Sequence, residues 1–162
     1  MRNPIEDIKI LWGAEREKVI ETLNKQFGIK EVEGQLIKRG KERIFLFTGD
    51  MEPKQIHGIS KFNFLERVGV YFAKENEFGE LRLSIEGSQA VKNQATKNVL
   101  ELTEDEMDTW MCGHELIKES GLTGPVLMKY GNDMLGTGKA SKEKITNFIP
   151  KSRRLKDKTI LE

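Results

Sequence analysis

The sequence predicts an α+β fold in two parts, an α/β half over residues 1–96 and a mostly β half over 97–162. Three patterns carry that division. An apolar helical stripe opens the chain, two hairpins with glycine in their turns follow it, and beyond Gly113 short strands recur at close intervals, the pattern of a small barrel or sandwich.

Each element has its own signature. In "GAEREKVIETLNKQFG" the residues Val19, Ile20, Leu23 and Phe27 share one helical face, and Gly28 stands where a C-cap is expected. "GQLIKRGKERIFLF" sets two apolar runs around Arg39-Gly40-Lys41, a hairpin. "RVGVYFAKENEFGELRLSIEG" repeats that logic, with Asn76 to Gly79 as the turn and Leu81, Leu83 and Ile85 alternating on one strand face. Ser88 is expected to N-cap a short helix reaching about Asn93, ahead of a strand over 98–102. Thr103 with Glu106 three residues on forms a capping box for a helix over 103–111 whose apolar side is Met107, Trp110 and Met111. Its acidic first turn suits the helix dipole. The segments "HELIK", "GPVLMKY", "MLGTGKA" and "ITNFI" then predict strands, with Gly131-Asn132-Asp133 as one of the turns.

Composition sets outer bounds. At 162 residues, 37% hydrophobic and 33% charged, the chain has the makings of a globular, soluble protein. No apolar run approaches the roughly 20 residues of a membrane helix. The opening "MRNPIEDIKILWGAEREK" lacks the apolar core of a signal peptide. Cys112 stands alone, so no internal disulfide forms, and a reducing cytoplasmic location is expected.

The net charge of +1 conceals a segregation. Residues 101–120 carry seven acidic side chains, Glu101, Glu104, Asp105, Glu106, Asp108, Glu115 and Glu119, against Lys118. From 137 to 158 the balance reverses, with Lys139, Lys142, Lys144, Lys151, Arg153, Arg154, Lys156 and Lys158 facing Glu143 and Asp157.

Within that basic stretch, Gly136-Thr137-Gly138-Lys139 invites comparison with a nucleotide-phosphate loop. Spacing argues against it: a Walker loop needs glycine where Asp133 stands and a hydroxyl where Ala140 stands, and Ser141 occupies the third-glycine position of the dinucleotide pattern. The glycines are expected to shape a β-turn, leaving Lys139 as the functional side chain. His57, His114 and Cys112 do not complete a zinc set, and Glu104 with Glu106 fits a solvated helix start. The expectation is therefore a protein without metal, cofactor or catalytic site. The basic residues interleave with Ile145, Phe148, Ile149 and Leu155, so their charges project from a structured surface that suits nucleic-acid phosphates. A solvated lysine-rich face gives the same pattern, and charge alone does not separate the two.

The stretches "MDTWMCGHEL", "GPVLMKYGNDMLGTGKA" and "NFIPKSRRL" resemble the PUA domain, a small β-barrel RNA-binding module of RNA-modifying enzymes and ribosome-assembly factors. Upstream, "LERVGVYFAKENEFGELRLSIEGSQAV" followed by "KNVLELTEDEMDTWMCGHELIKESGL" is similar in order and spacing to the Nip-seven family of pre-ribosomal RNA processing factors, over about residues 43–140. That family joins an α/β pre-PUA domain to a C-terminal PUA domain. The ending resembles the RNA-binding region of RsmF-type ribosomal RNA cytosine methyltransferases, whose catalytic domain has no counterpart in this sequence. "FIPKSRRL" fits the methyltransferase tails better than the processing factors.

The resemblance implies RNA binding carried by Lys139, Lys151, Arg153 and Arg154, with Lys142 and Lys144 added by local charge. It implies a non-catalytic role in ribosome biogenesis, rRNA processing or rRNA or tRNA modification, with structured RNA as partner, assembly or modification proteins as further partners, and neither membrane nor DNA involved. A second reading is an accessory subunit of an RNA-modifying enzyme, docking through the acidic helix from Thr103 to Met111. A small hydrolase or nucleotide enzyme is the remote third.

Overall fold

The computed structural model describes residues 8–49 and 69–156; His57, Asp157 and Lys158 of the sequence reading lie outside them. The described chain forms two five-stranded sheets. In the first, β1 (Ile8–Leu11), β2 (Gln35–Arg39), β3 (Arg43–Phe47), β4 (Val70–Glu75) and β5 (Leu81–Leu83) lie side by side in chain order, every pair antiparallel. Helix α1 (Ala14–Phe27) joins β1 to β2. It buries Val19, Leu23 and Phe27, three of the four stripe residues seen in the sequence, and ends at Gly28 in the left-handed conformation (φ 76°), whose N–H returns to the carbonyls of Asn24 and Leu23.

Helix α2 corrects the sequence reading. It spans Ile85–Ala90 and is capped by Ser84, whose Oγ accepts from the Gly87 N–H at 2.9 Å. Ile85 therefore belongs to the helix, and the strand stops at Leu83. Ser88, the expected cap, is fully buried: its hydroxyl donates to the Ile85 carbonyl at 2.8 Å and accepts from the Gly136 N–H at 3.1 Å.

The second sheet runs β6-β8-β9-β10-β7 and curls into a half-barrel, built from β6 (Val99–Glu101), β7 (Leu116–Ile117), β8 (Gly124–Tyr130), β9 (Asp133–Ala140) and β10 (Lys144–Thr146). β6 pairs with β8 in parallel and the remaining pairings are antiparallel. Helix α3 (Glu104–Met111) carries the capping box read from the sequence: Thr103 Oγ1 accepts from the Glu106 N–H, and Glu106 Oε1 accepts from the Thr103 N–H at 3.0 Å. The expected strands "HELIK" and "ITNFI" shrink to Leu116–Ile117 and Lys144–Thr146. Asn147 ends the latter, its Nδ2 donating to the carbonyls of Trp110 and His114, and its Oδ1 accepting from Ile149 N–H.

Gly136-Thr137-Gly138 is not a turn. All three residues lie inside β9, and the turn preceding them is at Gly131-Asn132. Leu127 pairs with Thr137 and Lys129 with Met134, so β9 carries an extra residue there, and Gly136 adopts φ 83° to absorb the bulge. Gly138 is required by space: a Cβ on it would stand 2.6 Å from Ile145 Cγ2 and 2.8 Å from Trp110 Cη2.

Burial explains why the bulge sits there. One apolar cluster gathers Leu23, Phe27, Leu36, Ile44 and Phe72 with Leu127 and Met134, so strands β8 and β9 lend side chains to the core beneath the first sheet. A second cluster surrounds Trp110 with Val126, Met128, Ile145 and Ile149. Between them runs a polar seam. Thr137 Oγ1 accepts from Leu83 N–H at 2.9 Å, Ser88 Oγ meets Gly136 N–H, Gln89 Oε1 accepts from Met134 N–H at 2.9 Å, and Asn98 Nδ2 donates to the Gln26 carbonyl at 2.7 Å. Each bond satisfies a backbone group that packing of the two sheets removes from water.

Candidate nucleic-acid interface

The face of the first sheet turned away from α1 carries two parallel rows. Ile10, Ile37, Phe45 and Tyr71 are successive cross-strand partners on β1 to β4, and the Phe45 and Tyr71 rings sit 5.7 Å apart at 55°. Further along the strands, Arg39 pairs with Arg43, Arg43 with Lys74, and Lys74 with Arg82. Cations thus oppose one another across β2, β3, β4 and β5. Like charges placed directly opposite destabilise a sheet, so this row costs folding stability.

Arg39, Arg43, Lys74 and Arg82, with Phe45 and Tyr71, line a cleft of about 710 Å³. One wall is the cationic and aromatic face just described; the other is Ser84, Ile85, Gly136, Thr137 and Phe148-Ile149-Pro150. The cleft therefore lies along the seam between the sheets. Arg82 stacks on the Phe148 ring, 3.8 Å from its centroid, and Phe148 keeps 38% of its surface exposed. Burial draws the Arg82 guanidinium below its usual range, offset in part by Tyr71 and Glu42, and it stays cationic. Burial also raises the Tyr71 phenol, against the opposing pull of Arg82 and Arg43, so the phenol stays protonated and able to donate. Glu42 lies 3.4 Å from Lys74 as a partial counter-charge.

The residues picked from the sequence occupy a different edge. Lys139 is exposed on β9, opposite Pro125 on one side and Thr146 on the other, and borders a small cavity of about 40 Å³ shared with Arg82 and Phe148. Lys142 lies in the turn between β9 and β10. Lys144 pairs with Glu115 at 3.1 Å. Lys151 and Arg153 lie on the short 3-10 helix Lys151–Arg153, which follows directly on the Phe148-Pro150 wall of the cleft. Arg153 forms an ion pair with Glu86 of α2. Arg154 donates Nε–H to the Ile149 carbonyl at 2.9 Å, and its guanidinium packs where a side chain on Gly113 would have to go. The basic tail is thereby folded onto the barrel, and part of its charge is used to hold it there.

Sequence reasoning missed Arg43, Lys74, Arg82 and Tyr71, and treated Arg39 and Phe148 as a turn flank and an apolar spacer. A signal existed within each hairpin. A turn at Gly40 sets Arg39 opposite Arg43, and a turn over Asn76 to Gly79 sets Lys74 opposite Arg82. The pairing of β3 with β4, which merges the two pairs into one row, is long-range and has no local signature.

Among the described residues no group of three or more His, Cys, Asp and Glu side chains is placed to hold a metal ion, and no helix is long and apolar enough to cross a membrane.

A half-barrel with a capped helix packed across it, a basic tail and an arginine-rich cleft at its margin is an arrangement suited to a polyanionic ligand. Residues 97–155 match the family described as the methyltransferase RsmF PUA domain, which places a PUA domain in this part of the chain. That assignment supports RNA binding. No curated protein matches the chain at a significant level.

Proposed function

We propose that the protein is a non-catalytic RNA-binding factor of ribosome biogenesis or of rRNA or tRNA modification, related through its PUA domain to the targeting module of RsmF-type methyltransferases. The observation that carries this reading is the PUA-domain match over 97–155, which spans Lys139, Lys142, Lys144, Lys151, Arg153 and Arg154. In this reading Lys139, Lys151 and Arg153 hold RNA phosphates at the barrel edge, Lys142 and Lys144 add long-range attraction, and Arg154 braces the tail. Residues 1–96 act as a pre-PUA-like domain that extends the RNA surface and offers a face to assembly or modification proteins.

The test is fluorescence anisotropy with a labelled RNA stem-loop at several salt concentrations. Wild-type protein should bind with an affinity that falls steeply with salt. The variant K139E/K151E/R153E, which spares the structural Arg154, should bind at least tenfold more weakly and with a shallower salt slope. Wild-type-like binding by that variant would remove the barrel-edge assignment.

The acidic first turn of α3 favours a second reading, an accessory subunit for an RNA-modifying enzyme. Nuclease-resistant co-purification with such an enzyme, lost when Glu104 and Asp105 become lysine, would support it.

A further inference from the structure

We propose that the cleft beside the barrel is a second RNA site, distinct from the barrel edge, in which a single strand runs across β2 to β5 with its phosphates on the Arg39-Arg43-Lys74-Arg82 row. The proposal rests on the RNA-binding reading above and specifies where a strand emerging from structured RNA would go.

Cross-strand pairing places four cations in one line on one face, from Arg39 through Arg43 and Lys74 to Arg82. With strands about 4.8 Å apart, the line extends about 14 Å over its three inter-strand steps. A single phosphate cannot contact cations spread so widely, whereas a polyanionic strand can. The sheet bears the repulsion of this arrangement in the folded protein, and a bound polyanion removes it. Of the four, Arg43 is exposed and Arg39, Lys74 and Arg82 are part-buried along the cleft wall, so their charge is presented to the cleft in a partly desolvated setting where each contact is stronger than in open water.

The second element is aromatic. Phe148 lines the same cleft from the barrel side, with the Arg82 guanidinium 3.8 Å from its ring centroid and part of its surface still exposed, while Tyr71 lines the opposite wall with a protonated phenol. Cations that follow a backbone beside aromatic faces on which bases stack form the arrangement used for single-stranded nucleic acid. Tyr71 lies on the first sheet and Phe148 just beyond the last strand of the second, so the site exists only when the halves are docked. It is also continuous with the barrel edge, because Phe148 and Arg82 border the small cavity shared with Lys139. A strand leaving the barrel edge at Lys139 thus has a path past Phe148 onto the cationic row.

The experiment uses the full chain with two labelled RNAs, a stem-loop and the same stem-loop with a single-stranded uridine overhang, titrated from low to moderate salt. Wild-type protein should bind the overhang RNA more tightly than the bare stem. The variant R43Q/K74Q should lose at least tenfold in affinity for the overhang RNA and little for the stem. Its salt slope for the overhang RNA should fall by about 1.4, from two phosphate contacts at about 0.7 each. F148A should weaken overhang binding and leave the salt slope unchanged. Removing like charges relieves repulsion, so R43Q/K74Q is expected to remain folded, and its thermal midpoint should equal or exceed that of wild type. Equal affinity and slope for R43Q/K74Q and wild type on the overhang RNA would overturn the proposal, as would complete displacement of the overhang by millimolar inorganic phosphate, which would mark a small-anion site. Failure of wild type to bind either RNA would overturn the RNA reading itself.

Discussion

The basic tail and the cationic row reach similar charge by opposite routes. The tail is contiguous in sequence, and in the folded protein part of it is engaged internally: Lys144 by Glu115, Arg153 by Glu86 and Arg154 by the Ile149 carbonyl. The row is dispersed over Arg39, Arg43, Lys74 and Arg82, and cross-strand pairing concentrates it along a cleft. Charge density along a sequence therefore does not measure charge available to a ligand. Register determines which cations add together, and local carboxylates and carbonyls determine which are consumed.

Perturbing the support of each region separates the two contributions. The largest expected effect is at Trp110, fully buried at the centre of the second cluster, with its indole N–H bonded to the Leu135 carbonyl at 2.9 Å and its own carbonyl holding Asn147. Trp110→Ala should cost about 3–5 kcal/mol in urea unfolding, and it should loosen the tail. The row, seated over the other cluster, should keep its contribution to RNA affinity under conditions where the variant is still folded. Equal loss of both contributions would show that the two regions do not act separately.

Thr137→Val comes next. It leaves the buried Leu83 N–H without its 2.9 Å acceptor at the seam and should cost about 1–3 kcal/mol by the same assay. Because the cleft needs both sheets in place, this variant should also weaken overhang binding more than stem binding.

Smaller effects belong to α3. Thr103→Ala removes the cap and should cost about 1 kcal/mol. Glu106 is held below the usual carboxylate range chiefly by the Thr103 backbone N–H, then by Lys118 at 2.9 Å. A lowered folded value means this stabilisation is complete above the ordinary carboxylate pKa and disappears as pH falls through the lowered one. The stability difference between wild type and Glu106→Gln should therefore be present at neutral pH and vanish in strong acid.

The smallest expected change is Lys144→Gln. Its pair with Glu115 is half exposed on both sides, so stability should move by less than about 1 kcal/mol. Its effect on RNA affinity should be below that of Arg43, since Glu115 already neutralises part of its charge. A larger RNA effect from Lys144 than from the row would reverse the ordering drawn between the two regions.

Much of this architecture is legible locally. The stripe of α1, the capping box of α3 and both hairpin turns follow from side-chain spacing and backbone preference, which act within a few residues. Ser84 escaped notice as a cap because it ends the alternating run "LRLS", which reads as strand until the helix after it is seen. Gly136 and Gly138 looked like turn glycines because glycine's local preferences are the same in a turn, a bulge or a close-packed strand. The neighbours that distinguish these roles are Met128 and Leu127 across the ladder, Ser88 in α2, and Trp110 and Ile145 in the barrel core.

Near-neighbour chemistry in the sequence sets helices α1 and α3, the hairpins, the barrel-like run of strands and the like-charge pairs at each hairpin. Tertiary structure alone decided that the two charge pairs become one row, that the glycine segment becomes a seam, and that Phe148 meets Arg82 above a cleft. Those outcomes depend on which strands pair at long range and which surfaces must lose water together, and no local stretch of the chain encodes either.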